Sequence, residues 1–363
     1  MTNIPKYMKI VKWTIEQIRT ATVQPGDKFH SENTLCNLFD VSRQTVRRAL
    51  EELEYTGYVT RIKGSGTYIS QKQPPTPSEA IAKYPLSKAV GIITTYLDAY
   101  IFPSIIQGIE TVLTDNGFTV QLASTKNLVE GELRALQMMS ENNLDGLIIW
   151  PTKSGLPCMN RHFYEALYKK GLPIVFIDSY HAECPGTYVA LDDEDVGKVA
   201  MHHLIELGHR EIAGLFPHSD KQGYLRYKGY MKAFTDFGLP IREEHIHWYC
   251  KDNVQELLHS PKLWETLSSC TAAFCFNDSL ALMLINILQE KGVRVPEDFS
   301  IVGTDNTLMA KMSALTSVIH PAERLGEAAA KLLLSMINGE EGKNILFPAE
   351  LIIRDSVKRI EAK

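Results

Sequence analysis

From Ala89 onward the sequence alternates short apolar runs with stretches of helical period, and this alternation restricts the fold more than any other feature. AVGIITTYL, TVQLAST, GLIIWPT and PIVFIDS read as buried strands, with FPSIIQGIETVLTDNG, VEGELRALQMMSENN and HFYEALYKKG as helices between them. Strands that are apolar along their whole length belong to a parallel sheet covered by helices on both faces. The series continues with helix VGKVAMHHLIELGH, strand EIAGLF, helix YLRYKGYMKAFTDFG, helix VQELLHSPKLWETLSS, strand AAFCFND, helix SLALMLINILQEKG and strand FSIVGTD. So many strands require two sheets in succession. TYVALDD (Thr187 to Asp193) is the expected crossing between them, and TSVIHPAERLG the expected return.

Two doubly wound lobes joined by several crossings make a hinged clamp. Ligands of such sheets bind beyond the carboxyl ends of the strands. The residues placed there are Thr95 to Phe102, Trp150 to Lys153, Asp178 to Tyr180, Asn277 with Asp278, and Asp305 with Asn306. Aromatic rings stack on the apolar faces of a sugar, and carboxylates and amides exchange hydrogen bonds with its hydroxyls. Asp278 reads equally well as the N-cap of the following helix. The run Asp192, Asp193, Glu194, Asp195 reads as a solvated loop and helix start rather than an acid–base or cation site.

Before this body lies a different kind of chain. Residues 1–70 hold ten basic against seven acidic residues, a balance of +3, whereas the whole 363-residue chain carries −5. Val11, Ile15 and Ile18 form one helical stripe, PGDKF is a turn, and Ser31 caps a short second helix. Asp40 and Val41 break it, and Ser42 caps a third, built on VSRQTVRRAL. Val46, Leu50 and Leu53 of that helix point inward. Arg43 and Arg47 point outward together, flanked by Gln44 and Arg48. Bases at a helix N-terminus oppose its dipole, so an outside partner should favour them there. A phosphate backbone with base edges is such a partner. Gly57 ends the helix, and YVTRI, KGSG and TYIS form a hairpin with Lys63 at its tip. Three helices and a hairpin make a winged helix-turn-helix, its third helix fitting a major groove.

These residues, in HSENTLCNLFDVSRQTVRRALEELEYTGYVTRIKGSGTYIS, resemble the GntR family of bacterial regulators. The resemblance implies DNA contacts from Glu32, Arg43, Gln44, Thr45 and Arg47, wing contacts at Lys63 and Gly66, and backbone contacts from Lys6 and Tyr7. Residues 71–87, with four prolines in QKQPPTPSEAIAKYPLSK, read as a semi-extended tether. The body, residues 88–359, resembles the LacI/GalR effector-binding domains through GLIIWPTKS, VALDDEDVGKVAMHHLIELGHREIAGL, RYKGYMKAF, FCFNDSLAL and FSIVGTDN. That likeness implies Arg226 as an effector-binding arginine, Asn277 and Asp305 as hydroxyl partners, and Asp178 as a further polar contact. A GntR-type head on a LacI-type body resembles the arabinose-responsive repressors of Gram-positive bacteria. It implies L-arabinose as effector, with Tyr96, Asp98, Tyr100, Phe102, Trp150 and Lys153 on the first-lobe side and His320 at the returning strand. The expected partners are double-stranded operator DNA, with an inverted repeat read by a homodimer. A different sugar or a nucleobase is the alternative effector.

Several classes are disfavoured. There is no signal-peptide core and no apolar run long enough for a bilayer, so a cytoplasmic protein without membrane attachment is expected. The six cysteines, Cys36, Cys158, Cys184, Cys250, Cys270 and Cys275, form no C-x-x-C pair, and the reading is reduced thiols with no metal. Without G-x-S-x-G, a P-loop or metal-ligand spacing, no enzyme activity and no cofactor are expected.

Overall fold

Serine caps and one left-handed residue set out the N-terminal helices α1 (Lys6–Arg19), α2 (Glu32–Phe39) and α3 (Arg43–Tyr55). The computed structural model describes residues 6–20, 22–55, 57–62, 65–70, 87–97 and 101–361, and divides between Pro85 and Leu86 into two units. The Ser31 hydroxyl accepts the Thr34 amide at 3.2 Å, and Ser42 accepts that of Thr45 at 3.2 Å. Asp40, at φ 47°, turns the chain between α2 and α3, and Gly57, at φ 78°, follows α3. Strands β1 (Val59–Ile62) and β2 (Gly66–Ile69) pair antiparallel, with Val59 opposite Ile69. Ile10, Leu35, Val46, Leu50, Leu53, Val59 and Ile69 form the buried core. This is the winged helix-turn-helix expected from the sequence. Lys63 at the hairpin tip and the tether over 71–86 lie outside the described residues.

Near the start of the second unit, the Ser87 amide and hydroxyl both donate to Asp145. Its first lobe runs β3 (Ala89–Thr94), α4 (Phe102–Asp115), β4 (Thr119–Ser124), α5 (Val129–Glu141), β5 (Gly146–Ile149), α6 (Arg161–Lys169), β6 (Ile174–Ile177) and β7 (Thr187–Leu191). The chain then builds a second lobe. Its elements are α7 (Asp193–Glu206), β8 (Ile212–Pro217), α8 (Lys221–Asp236), β9 (Ile246–Tyr249), α9 (Val254–His259), α10 (Pro261–Ser269), β10 (Ala272–Cys275), α11 (Asp278–Glu290), β11 (Ser300–Asp305), α12 (Leu308–Met312) and β12 (Thr316–Ile319). It returns for α13 (Ala322–Ile337) and β13 (Ile345–Phe347) in the first lobe, and ends with β14 (Leu351–Ile352) in the second.

One sheet has the order β13-β7-β6-β5-β3-β4 and the other β14-β12-β11-β10-β8-β9. All neighbours are parallel except β12 with β14. Strands β3, β8 and β11 are buried at every residue, as continuous apolar runs require. The two doubly wound sheets match the expected architecture, with differences in detail. The first five residues of TYVALDD are strand β7 of the first sheet, and the crossing comes only at its end, at Asp192. VQELLHSPKLWETLSS is two helices, because Pro261 cannot continue α9 and instead starts α10 behind the Ser260 cap. Strand β9 and a third crossing, between β13 and β14, were not read from the sequence. The crossings hold one another: the Asp192 amide donates to Phe347 O at 2.9 Å and the Ile319 amide to Glu350 O at 2.7 Å.

Close approach of α7 and α8 depends on two glycines. A Cβ on Gly197 would collide with the Arg226 carbonyl oxygen, and one on Gly229 with that of Glu194. Gly229→Ala is therefore expected to destabilise the second unit by about 1–3 kcal/mol through overpacking. Denaturant unfolding of the full chain checks this, and an unchanged midpoint would contradict it.

Candidate functional site

The strand order reverses direction of growth between β3 and β5 in one sheet, and between β8 and β10 in the other. At such switch points the loops after neighbouring strands part and leave a crevice. Here the two crevices face each other and enclose a cavity of 440 Å³. The first lobe supplies an aromatic wall. Phe102 stacks on Trp150 with ring centroids 3.9 Å apart, and Tyr96 meets Phe102 edge-on at 5.9 Å. The second lobe supplies Tyr249, Phe276 and Met283. Lys251 reaches across, its Nζ lying 3.4 Å from the Tyr96 ring centroid.

Two buried charge pairs set the polar side of the cavity. Arg226, on α8, donates from Nε to Asp193 Oδ1 at 2.7 Å and from Nη1 to the Phe276 carbonyl at 2.5 Å. Both side chains are about 3% exposed. Burial pushes the Asp193 carboxyl up to about 6 against the pull of Arg226. The expected solvated acidic run is thus corrected: Asp192 caps α7 through the Asp195 amide, but Asp193 is the buried counter-ion of Arg226. The cause is tertiary, since α8 covers the start of α7.

Asp178 holds the second pair. Its Oδ1 lies 2.6 Å from His320 Nε2, and its Oδ2 accepts from Gln222 at 2.6 Å. Burial opposes a charge on His320, but the Asp178 carboxylate outweighs it and raises the imidazole above its ordinary value. A group raised on folding stabilises fully below its unfolded pKa of about 6.5, and loses that contribution as pH climbs through the folded value. The stability difference between the native chain and His320→Gln is therefore expected to shrink as pH rises from about 6 to 9. Urea unfolding at several pH values measures it, and a difference that grows with pH would contradict the pairing. Asp178 and Asp305 both have left-handed backbone, at φ 63° and 109°. Such strain is retained where the surroundings over-determine it, commonly at binding sites.

Asn277 and Asp278 divide the roles the sequence left open. Asn277 is the N-cap of α11, its Oδ1 accepting the Leu280 amide at 2.9 Å. Asp278 is buried behind it, bonded to the Ser317 hydroxyl at 2.6 Å and the Thr307 amide at 2.8 Å. Asp278 is accordingly neither cap nor lining residue.

Of the expected effector residues, Tyr96, Phe102, Trp150, Asp178, Arg226, Asn277, Asp305 and His320 line the one cavity. Lys153 does not. Its backbone, at φ 47°, is held by Asn127, and it lines a separate depression with Glu132 and Cys158. Asp98 and Tyr100 lie outside the described residues. Sequence reasoning missed Asn127, Asp220, Gln222, Tyr249 and Lys251, which also line it. Among the described residues, no cluster of three His, Cys, Asp or Glu side chains is arranged to hold a metal. Nor is any described helix long and apolar enough to cross a membrane.

On the head, Arg43, Gln44 and Arg47 are exposed along α3, with Thr45 half-buried beside the Ser42 hydroxyl. Glu32 is engaged within the head: its carboxylate bridges Arg47 and Arg61, each at 3.1 Å. Tyr7 lies under the Arg48 guanidinium at 4.5 Å. Gly66, at φ 126°, opens β2 on the wing. Of Lys6 only the backbone, opening α1, is described.

The chain was compared with known proteins. Residues 6–69 match the bacterial regulatory proteins of the gntR family, and residues 201–357 the periplasmic binding protein-like domain. The arabinose metabolism transcriptional repressor of Halalkalibacterium halodurans is 36% identical over 99% of this chain and 98% of its own length. The one from Geobacillus stearothermophilus is also 36% identical, over 99% of each. A solved transcriptional regulator, CelR with cellobiose, is 24% identical and shares the fold at a TM-score of 0.65 over 87% of this chain and 91% of that one.

Proposed function

Since this chain belongs to the family of arabinose metabolism transcriptional repressors, we propose that it holds operator DNA through its winged head and releases it when L-arabinose fills the cleft between its lobes. The observation that carries this reading is the convergence of a stacked aromatic wall with buried, charge-supported polar groups in one cavity. In it, Phe102 and Trp150 stack on the sugar ring. Arg226, kept in place by Asp193, donates to ring or hydroxyl oxygens, and Asp305 accepts from hydroxyls. Asn277 donates with its amide nitrogen, its oxygen being used by the cap. Asp178 contributes from the first lobe and His320 from the hinge.

Three crossings tied to one another let the lobes move as two bodies about a common hinge. Sugar that binds one lobe arrangement more tightly shifts the population toward it. In a homodimer, that shift changes the spacing of two winged heads, and with it their fit to an inverted repeat. The protein acts in the cytoplasm as a regulator, without turnover of its ligand.

Calorimetric titration of the purified chain with L-arabinose, D-xylose, D-galactose and hypoxanthine tests the effector. Saturable heat from L-arabinose alone is the expected result. Silence from L-arabinose with saturation by another compound would overturn the assignment.

A further inference from the structure

A second cluster of reactive side chains lies in the first lobe, away from the cleft. Cys158 follows β5, and Cys184 follows β6. Their loops are joined by the Cys158 amide, which donates to Glu183 Oε1 at 2.8 Å, and within the second loop the Cys184 amide donates to His181 O at 3.2 Å. Cys184 belongs to the buried core of the lobe, Cys158 packs against the same cluster, and both are reduced. Cys158 and His181 line a depression of 230 Å³, while Cys184 is buried behind them. The His181 ring is 3% exposed, and neither of its nitrogens has a close hydrogen-bond partner. It lies near enough to Cys158 for the charges of the two to interact.

The loop bearing Cys158 also carries bonds between the lobes. Ser154 Oγ accepts the Lys221 amide at 3.0 Å and the Ser179 hydroxyl at 2.8 Å. The Gly155 amide donates to Ser219 O at 2.9 Å. A covalent tie at Cys158 would fix this loop to the turn after β6, and so act on the clamp from behind.

We propose that Cys158, Cys184 and His181 form a peroxide-reactive thiol site, whose oxidation joins the two cysteines and pins the inter-lobe loop. Cys158, which lines the depression, is the nucleophile, and the buried Cys184 is the resolving thiol. His181 takes the Cys158 proton, the thiolate attacks one peroxide oxygen, the O–O bond breaks, and the departing hydroxide takes that proton from His181 to leave as water. Cys158 is now a sulfenic acid. The Cys184 sulfur then attacks that of Cys158. The S–S bond forms, the S–O bond breaks, and the hydroxide leaves as water with the proton from Cys184. Two thiols and one peroxide thus give one disulfide and two waters.

The test uses the reduced full chain, hydrogen peroxide, and non-reducing digestion with mass spectrometry. The expected product is a peptide cross-linked between Cys158 and Cys184 that dithiothreitol reverses. In Cys184→Ala the reaction should stop at a Cys158 sulfenic acid trapped by dimedone. His181→Asn should slow Cys158 oxidation at least about tenfold, as loss of a proton donor does. Hydrogen exchange of residues 151–160 should slow on oxidation of the native chain. Free Cys158 and Cys184 after treatment, or oxidation no faster than at Cys36 and Cys250, would overturn the site. A cross-link with unchanged exchange over 151–160 would overturn its action on the loop.

Discussion

Arg226→Met is expected to abolish measurable sugar response and to destabilise the second unit together. The side chain is buried and donates to Asp193 and the Phe276 carbonyl, so removal takes a donor from the cavity and leaves a carboxylate without its counter-ion. Breaking a buried pair by deleting one partner costs about 3–5 kcal/mol. Asp193 can limit that cost by taking a proton. Its pKa is already raised to about 6 with Arg226 present, and without the arginine it moves further up. A carboxyl whose folded pKa exceeds its unfolded value holds its proton in the folded state, and folding is weakened as pH rises through that window. The penalty of Arg226→Met should therefore grow from about pH 5 to pH 8. Sugar affinity should fall at least about 30-fold, the equivalent of 2 kcal/mol or more for a lost buried charged donor. The double variant Asp193→Asn with Arg226→Met separates the effects. It should regain much of the stability, because no uncompensated charge remains, and none of the affinity. Recovery of binding in the double variant would show that Arg226 acts only as scaffold. Denaturation at several pH values and calorimetry of both variants decide the matter.

The second large effect lies on α3. Arg43→Ala and Arg47→Ala are each expected to weaken operator binding by about 1–3 kcal/mol. Together they should cost about 30-fold or more. Each phosphate contact removed should lower the slope of log affinity against log salt by about 0.9, whereas loss of a base contact should leave the slope and relax sequence preference. Arg47 is aimed by Glu32, so Glu32→Gln should produce a smaller loss in the same direction. None of these changes should alter sugar titrations, since Arg43 and Arg47 belong to the N-terminal unit. Unchanged operator affinity in the double alanine variant would remove α3 as the reading helix.

Much of this was legible in the sequence because local rules and tertiary structure agree. Ser31, Asp40 and Ser42 place the head helices by capping and turn chemistry that needs no distant partner. Apolar runs such as AVGIIT become strands buried at every residue, and the positions after them line the cleft because parallel sheets open there. What escaped depends on contacts across the fold. An aspartate in an acidic run reads as solvated until two glycines bring α7 and α8 together and bury Asp193 against Arg226. Strand β9 is four residues at a sheet edge with one side chain outward, too short to show a period, and Tyr249 and Lys251 were lost with it. The third crossing rests on strands of three and two residues. Lys153 follows a strand in sequence, but a left-handed turn held by Asn127 takes it out of the cleft.

The central claim is that occupancy of the inter-lobe cleft governs the grip of the winged head on DNA. It is tested most directly by fluorescence anisotropy of the full-length protein on a duplex selected from random sequence, titrated with and without L-arabinose at one salt concentration. A coupling of about 1–3 kcal/mol predicts operator affinity lowered roughly 5- to 150-fold by the sugar, and by reciprocity an equal loss of sugar affinity on saturating DNA. Operator affinity unchanged by L-arabinose, at sugar concentrations that saturate the protein in calorimetry, would contradict the account.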